Sequence, residues 1–273
     1  MPTSIRNYLS ITYLSTTIVV LSACSGNPDK TAAPAIPEPA VPHLQYQIIK
    51  ILPHDSTVFT EGLELHDSVM YESAGNYGKS ALLAYRPMDG KVLRKVPLDK
   101  SYFGEGVSVL GDKIYQLTYQ EHAFLVYHYP DMTLLRIGEW PHDGWGMTND
   151  GQHLIAGDGT DKLYLIDPST LKETGALSVT ENNVPLDRIN ELEYLNGEIY
   201  ANRWFTNTIY RIDAHTGKVD GEMDLGDLFQ QTSTPFNPAD PRNDVMNGIA
   251  ASKNGTLYVT GKCWPKTFEL RLY

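Results

Sequence analysis

The sequence predicts an all-β protein, a five-bladed β-propeller closed by a strand from its own N-terminal end, and three observations predict it. Apolar residues fall in short alternating runs rich in Tyr, Val, Ile and Thr, the pattern of half-buried strands. Turn dipeptides recur with a period of about 40 to 50 residues, long enough for four strands per unit. The fifth unit ends one strand short, and a spare strand stands at the opposite end of the chain.

In chain order, Met1 to Ala23 hold one positive charge (Arg6), no acid, and an apolar stretch that ends in Leu21-Ser22-Ala23-Cys24. That is the layout of a secretory signal, its apolar core too short for a membrane span. The Leu-Ser-Ala-Cys ending resembles a bacterial lipobox. It implies cleavage before Cys24, lipid attachment at Cys24, and a place in the cell envelope, periplasmic or associated with the outer membrane. Residues 24–43, rich in Pro and Ala, read as an extended tether, leaving residues 44–273 for the propeller.

The spare strand is Gln45 to Ile51, expected to pair with Thr267 to Tyr273 and so leave no long unpaired edge. Within the ring, Asp67-Ser68, Gly111-Asp112, Asp150-Gly151, Asn196-Gly197 and Asn254-Gly255 mark the first turn of each repeat. A strand follows each, and Lys162 to Asp167 and Thr208 to Asp213 read as third strands. The stretch from Gly226 to Asp244, the longest connection, contains Pro235, Pro238 and Pro241 and is expected to form a flap or a short helix.

Composition narrows the function. The formal net charge is −11 and no basic cluster interrupts it, which argues against a nucleic-acid partner. With Cys24 lipidated, Cys263 is the one thiol left, so the fold must rest on its core rather than on a disulfide; a propeller of roughly 230 residues is ample for that. Cys263 is expected to be a buried structural cysteine. A closed ring has no obligatory partner surface, so a monomer is expected.

The repeat register locates a site. Counting back six residues from each first turn gives Glu61, Glu105 and Asn190, and with one residue of slippage Trp145 and Asn247. Counting forward eight gives Gly75, Tyr119, Asp158, Trp204 and Lys262, on second strands that return to the same rim. One channel mouth therefore gathers aromatics (Tyr119, Trp145 and Trp204, with Phe59 beside them) around Glu105, Asn190 and Lys262. That is the make-up of a small-molecule or chain-end pocket. Glu105 stands between Gly104 and Gly106, a setting for an acid presented at a tight turn of the backbone.

Glu61, Glu105, Asn190 and Asn247 are also suitable oxygen donors for a divalent cation, but Lys262 at the same rim would repel it. No His pair stands at usual zinc spacing, and there is no Gly-X-Ser-X-Gly elbow, P-loop or dinucleotide fingerprint.

Six stretches then resemble one family, the plant-type glutaminyl cyclotransferases with their bacterial members. They are Phe59 to Leu63, Ser101 to Gly106, Asp143 to Gly146, Asn190 to Tyr194, Asn247 to Ala250 and Thr260 to Lys266, in the family's order. The resemblance implies a five-bladed propeller that converts N-terminal glutamine of peptides or proteins to pyroglutamate and ammonia, with no metal and no cofactor. It implies Glu105 as catalytic acid and base, with Asn190 and Lys262 assisting it. Phe59, Glu61, Tyr119, Trp145, Trp204 and Asn247 would contact substrate. Tyr119 stands where the family usually has Trp, and Glu61 where Gln is common. The competing readings are a non-catalytic peptide-binding envelope propeller and a metal-dependent lactonase-type propeller.

Overall fold

A computed structural model of the protein describes residues 40–232, 236, 238–241 and 244–273. The signal segment, Cys24 and all but the end of the tether lie outside the described residues. Among the described residues there are five four-stranded antiparallel sheets, a two-stranded ribbon (Thr180–Glu181 with Val184–Pro185) and no helix. The sheets are the blades. Their innermost strands are Thr60–His66, Gly104–Leu110, Met147–Asn149, Ile189–Leu195 and Met246–Ala251; the first four blades step outward through successive hairpins, and the fifth takes its outermost strand from the N-terminal end.

All five expected first turns are in place. At Asp67-Ser68 both residues have left-handed φ (46° and 66°), as they do at Asn196-Gly197 (55° and 93°), the geometry of tight hairpin turns that suit strand twist. The closing strand, Tyr46–Pro53, pairs antiparallel with Lys266–Leu272 and runs two residues further than the sequence pattern reached. Contact with the fold begins earlier still. Glu222 N–H donates to the Pro42 carbonyl at 3.0 Å and Leu44 N–H to the Glu222 carbonyl at 2.7 Å, so the last tether residues run along the fourth blade.

Burial falls from axis to rim. Gly104–Leu110 is buried on both faces almost throughout, whereas the outermost Lys91–Pro97 and Lys172–Ser178 are exposed along most of their length. Charges such as Lys91, Arg94 and Lys95 guard these outer edges against pairing with another chain. Apolar layers between blades hold the ring: Leu117, Phe124 and Val126 of the second blade meet Met147, Leu154 and Ile166 of the third. A fully buried side chain such as Leu117 contributes about 1.5–3 kcal/mol.

The long connection is neither a strand nor a helix in its described part. Turns bring Phe229 against Phe236 (4.7 Å), Trp264 (4.9 Å) and Phe268 (5.0 Å), so apolar attraction seats it on the fifth blade.

Candidate active site

The innermost strands share one irregularity. Register shifts fall at Thr60/Gly62, Gly104/Val107, Ile189/Leu192 and Met246/Ile249, each inserting a residue that the second strand does not match. Such bulges re-aim side chains. The residues inside them are Glu61, Glu105-Gly106, Asn190-Glu191 and Asn247-Gly248, and the third blade places Trp145-Gly146 just before its short first strand.

Glycine follows the re-aimed residue in four blades, for reasons of space as much as of backbone freedom. A Cβ on Gly106 would lie 2.4 Å from Met147 N and 2.5 Å from the Trp145 carbonyl, to which Gly106 N–H donates at 2.8 Å. Gly106 has no left-handed φ, so close approach of the next blade is what it supplies. Gly248 does have one, 110°, a conformation other residues rarely adopt. The fourth blade has Glu191 instead of glycine. Its buried carboxylate accepts from Leu63 N–H at 2.8 Å and Ile249 N–H at 3.4 Å, pinning three innermost strands together across the axis.

One pocket of about 320 Å³ opens at the rim, small for a ligand site. The structure brings eight of the nine expected residues to it: Glu105, Asn190, Lys262, Phe59, Glu61, Tyr119, Trp145 and Trp204. Asn247 is the exception. It was expected to touch substrate, yet it is fully buried behind Glu61, its Nδ2 donating to Glu61 Oε2 and to the Thr60 carbonyl at 3.0 Å each. The register placed it at the right height on the axis; its bulge turns the amide toward the neighbouring strand rather than the opening.

Asn76 and Phe103 complete the lining and were not singled out from the sequence. Asn76 sits in a loop with φ of 81°, where no alternation marks it, and Phe103 precedes its strand by one residue. Phe103 packs edge-on against Phe59 (6.4 Å) and at a tilt against Tyr119 (5.9 Å), and Trp145 meets Trp204 edge-on at 5.4 Å. Of the other residues counted to this rim, Gly75 lies against the Glu61 and Phe103 side chains. Asp158 instead accepts from the Tyr164 hydroxyl at 3.0 Å and from Thr160. Cys263, expected to be buried, is partly exposed beside the pocket, where burial and Asp244 raise its thiol proton affinity.

The polar groups are arranged unequally. Lys262 Nζ donates to Glu61 Oε1 at 2.8 Å and lies 4.8 Å from the Phe59 ring centre, so Glu61 is held from both sides. Burial raises the Glu61 proton affinity, opposed by Lys262 and Asn247. Among the described residues no donor reaches Glu105, which is 6% exposed. Burial, then the Glu61 charge, raise its proton affinity well above the carboxylate range against the opposing pull of Lys262. The two carboxyls are coupled, and Glu105, which lacks the donors that hold Glu61, has its proton affinity raised further. Asn190 is 3% exposed and its Oδ1 has no partner, a state that costs about 1–3 kcal/mol until something donates to it.

A divalent cation fits this donor set poorly, because Lys262 and Asn247 already occupy both Glu61 oxygens. Among the described residues no group of three or more His, Cys, Asp or Glu is placed to hold a metal ion.

Comparison with known proteins gives a consistent picture. A model of the glutamine cyclotransferase family matches residues 16–272. The glutaminyl-peptide cyclotransferase of Arabidopsis thaliana is 35% identical over 234 residues, 84% of this chain and 71% of its own length. The crystal structure of Myxococcus xanthus glutaminyl cyclase is similar with a TM-score of 0.78 at 30% identity, covering 86% of this chain and 98% of that one.

Proposed function

The chain belongs to the glutamine cyclotransferase family, and we propose that its pocket closes N-terminal glutamine of a peptide or protein into pyroglutamate with Glu105 as the proton carrier. Glutaminyl cyclisation is the family's reaction, and the observation that carries its assignment to this pocket is Glu105 itself. It is a buried carboxyl without a donor, its proton affinity raised, inside an aromatic cage and beside an ion pair.

Cyclisation tethers the nucleophile to its target, so holding a folded conformer of the glutamine is the first task, and the rings of Phe59, Phe103, Trp145 and Trp204 form the mould. The neutral α-amine attacks the γ-amide carbon, forming the ring N–C bond. Glu105 accepts the proton that the amine sheds and returns it to the γ-nitrogen as its C–N bond breaks and ammonia leaves. A carboxyl of ordinary acidity would protonate a leaving nitrogen poorly at neutral pH; burial and Glu61 correct this. Asn190, which lines the pocket, donates through its Nδ2 to the γ-amide oxygen. Lys262, with one N–H committed to Glu61, directs another at the developing oxyanion, where each such donor is worth about 3 kcal/mol.

The test is ammonia release from a Gln-initiated dipeptide, before and after dialysis against a chelator. Release unaffected by chelation is expected. No release, or activity lost on chelation and restored by zinc or calcium, overturns the scheme. Cys24 is proposed to carry a lipid anchor to the cell envelope on the strength of Leu21-Ser22-Ala23-Cys24; a Cys24→Ala variant that stays in the membrane fraction would contradict it. The ring closure by Tyr46–Pro53 supports a monomer, to be checked by light scattering.

A further inference from the structure

A second cleft adjoins the pocket. About 580 Å³ in size, it lies along the first blade and shares Phe59 and Asn76 with the pocket, continuing past Gly75 to Lys79, Lys95 and Cys263. No acidic residue lines it, although the chain carries 33 acidic residues against 22 basic ones, and its two charged lining residues are both lysines. Lys79 and Lys95 are exposed and neither is held in an ion pair among the described residues. Asp55 lies near enough to Lys95 to feel its charge without lining the cleft.

Another edge of the pocket is bridged. The Tyr77 hydroxyl donates to Glu121 at 2.8 Å, Glu121 also accepts from Phe103 N–H at 3.1 Å, and the Tyr77 ring packs edge-on against Phe103 at 5.4 Å. This strap joins the first and second blades, and its half-buried acid disfavours a negatively charged chain beside it. A peptide whose first residue fills the pocket must send its second and third residues somewhere, and the cleft borders the pocket at Phe59 and Asn76.

Resting on the cyclotransferase reading, we propose that this cleft is the subsite for the residues following the N-terminal glutamine, and that Lys79 and Lys95 select a carboxylate there, either an acidic side chain or the chain terminus. The lysines stand outside the catalytic pocket, so they act on peptide binding and leave proton transfer at Glu105 untouched.

The experiment compares kcat/KM at low salt for amide-capped Gln-Gly-Glu, uncapped Gln-Gly-Gly, amide-capped Gln-Gly-Gly and amide-capped Gln-Gly-Lys. Each is run on the parent enzyme and on the Lys79→Gln/Lys95→Gln variant. The parent is expected to favour a carboxylate-bearing peptide over the capped neutral one by about 3- to 10-fold, as exposed charge pairs allow. That preference should vanish in the variant and at high salt, with turnover of capped Gln-Gly-Gly unchanged. The capped Glu peptide reports a side-chain carboxylate and the uncapped peptide a terminal one. Equal kcat/KM for all four peptides in the parent, or a preference that survives in the variant, overturns the subsite. Failure to turn over any of them overturns the cyclotransferase reading instead.

Discussion

Replacing Asn247 with alanine distinguishes a residue that touches substrate from one that braces the machinery. In the structure its Nδ2 makes one hydrogen bond to the Glu61 carboxylate and one to the Thr60 carbonyl, both at 3.0 Å, while its Oδ1 is buried without a partner. Losing the first costs about 1.5–3 kcal/mol and losing the second about 1 kcal/mol. Removing the unpartnered oxygen returns about 1–3 kcal/mol, so the net expectation is a loss of about 1–2 kcal/mol, less than the bond count suggests. Glu61 keeps Lys262 but loses its second tether, and a looser ion pair beside Glu105 should lower kcat/KM about tenfold, equivalent to about 1.4 kcal/mol. Urea denaturation and steady-state kinetics on Asn247→Ala, Glu61→Gln and the double variant measure both effects. A coupling of at least about 0.5 kcal/mol between the two positions is expected. Unchanged stability with additive kinetic losses would refute the bracing role and return Asn247 to the substrate.

Two other carboxyls on the axis give predictions away from the pocket. Glu64, which accepts from Ser108 Oγ at 3.0 Å, is pushed from the ordinary 4.5 to about 7 by burial. Its folded proton affinity exceeds its unfolded one, so its stabilising contribution is full below the unfolded value and is lost as pH rises toward 7 and beyond. Glu64→Gln should therefore flatten that decline and raise stability at pH 8 by up to about 3 kcal/mol, less to the extent that its partly exposed side chain is hydrated; thermal denaturation at pH 5 and pH 8 checks it. Glu191→Ala strands buried N–H groups on two other blades and should cost about 3–5 kcal/mol in urea denaturation; a cost under about 1 kcal/mol would remove Glu191 as the axial pin.

Much of this was legible in the chain. The five turn pairs fix the register because strand direction alternates strictly between them, so a count from Asp67 or Gly111 lands on Glu61 or Glu105, and the forward count on Tyr119, Trp204 and Lys262. What the count could not carry was direction. Asn247 and Glu61 occupy matching bulges, yet one faces the opening and the other braces it, a difference set by which neighbouring strand offers an acceptor. Phe103 and Asn76 escaped because the counts land beside them, on Glu105 and on Gly75. The glycine after Glu105 was legible as a constraint, but its cause, the backbone of the third blade at van der Waals range, belongs to the tertiary structure. Glu191 is pattern-silent for the same reason: its partners, Leu63 and Ile249, are distant in sequence.

The central claim is that Glu105 carries the proton between the two nitrogens. Its most direct test is the single-turnover rate of Glu105→Gln on a Gln-initiated dipeptide, alongside its urea midpoint. Glutamine keeps the shape and cannot exchange the proton, so the fold should persist while the rate falls by about 10²–10⁴. A folded variant turning over within a few-fold of the parent would contradict the account.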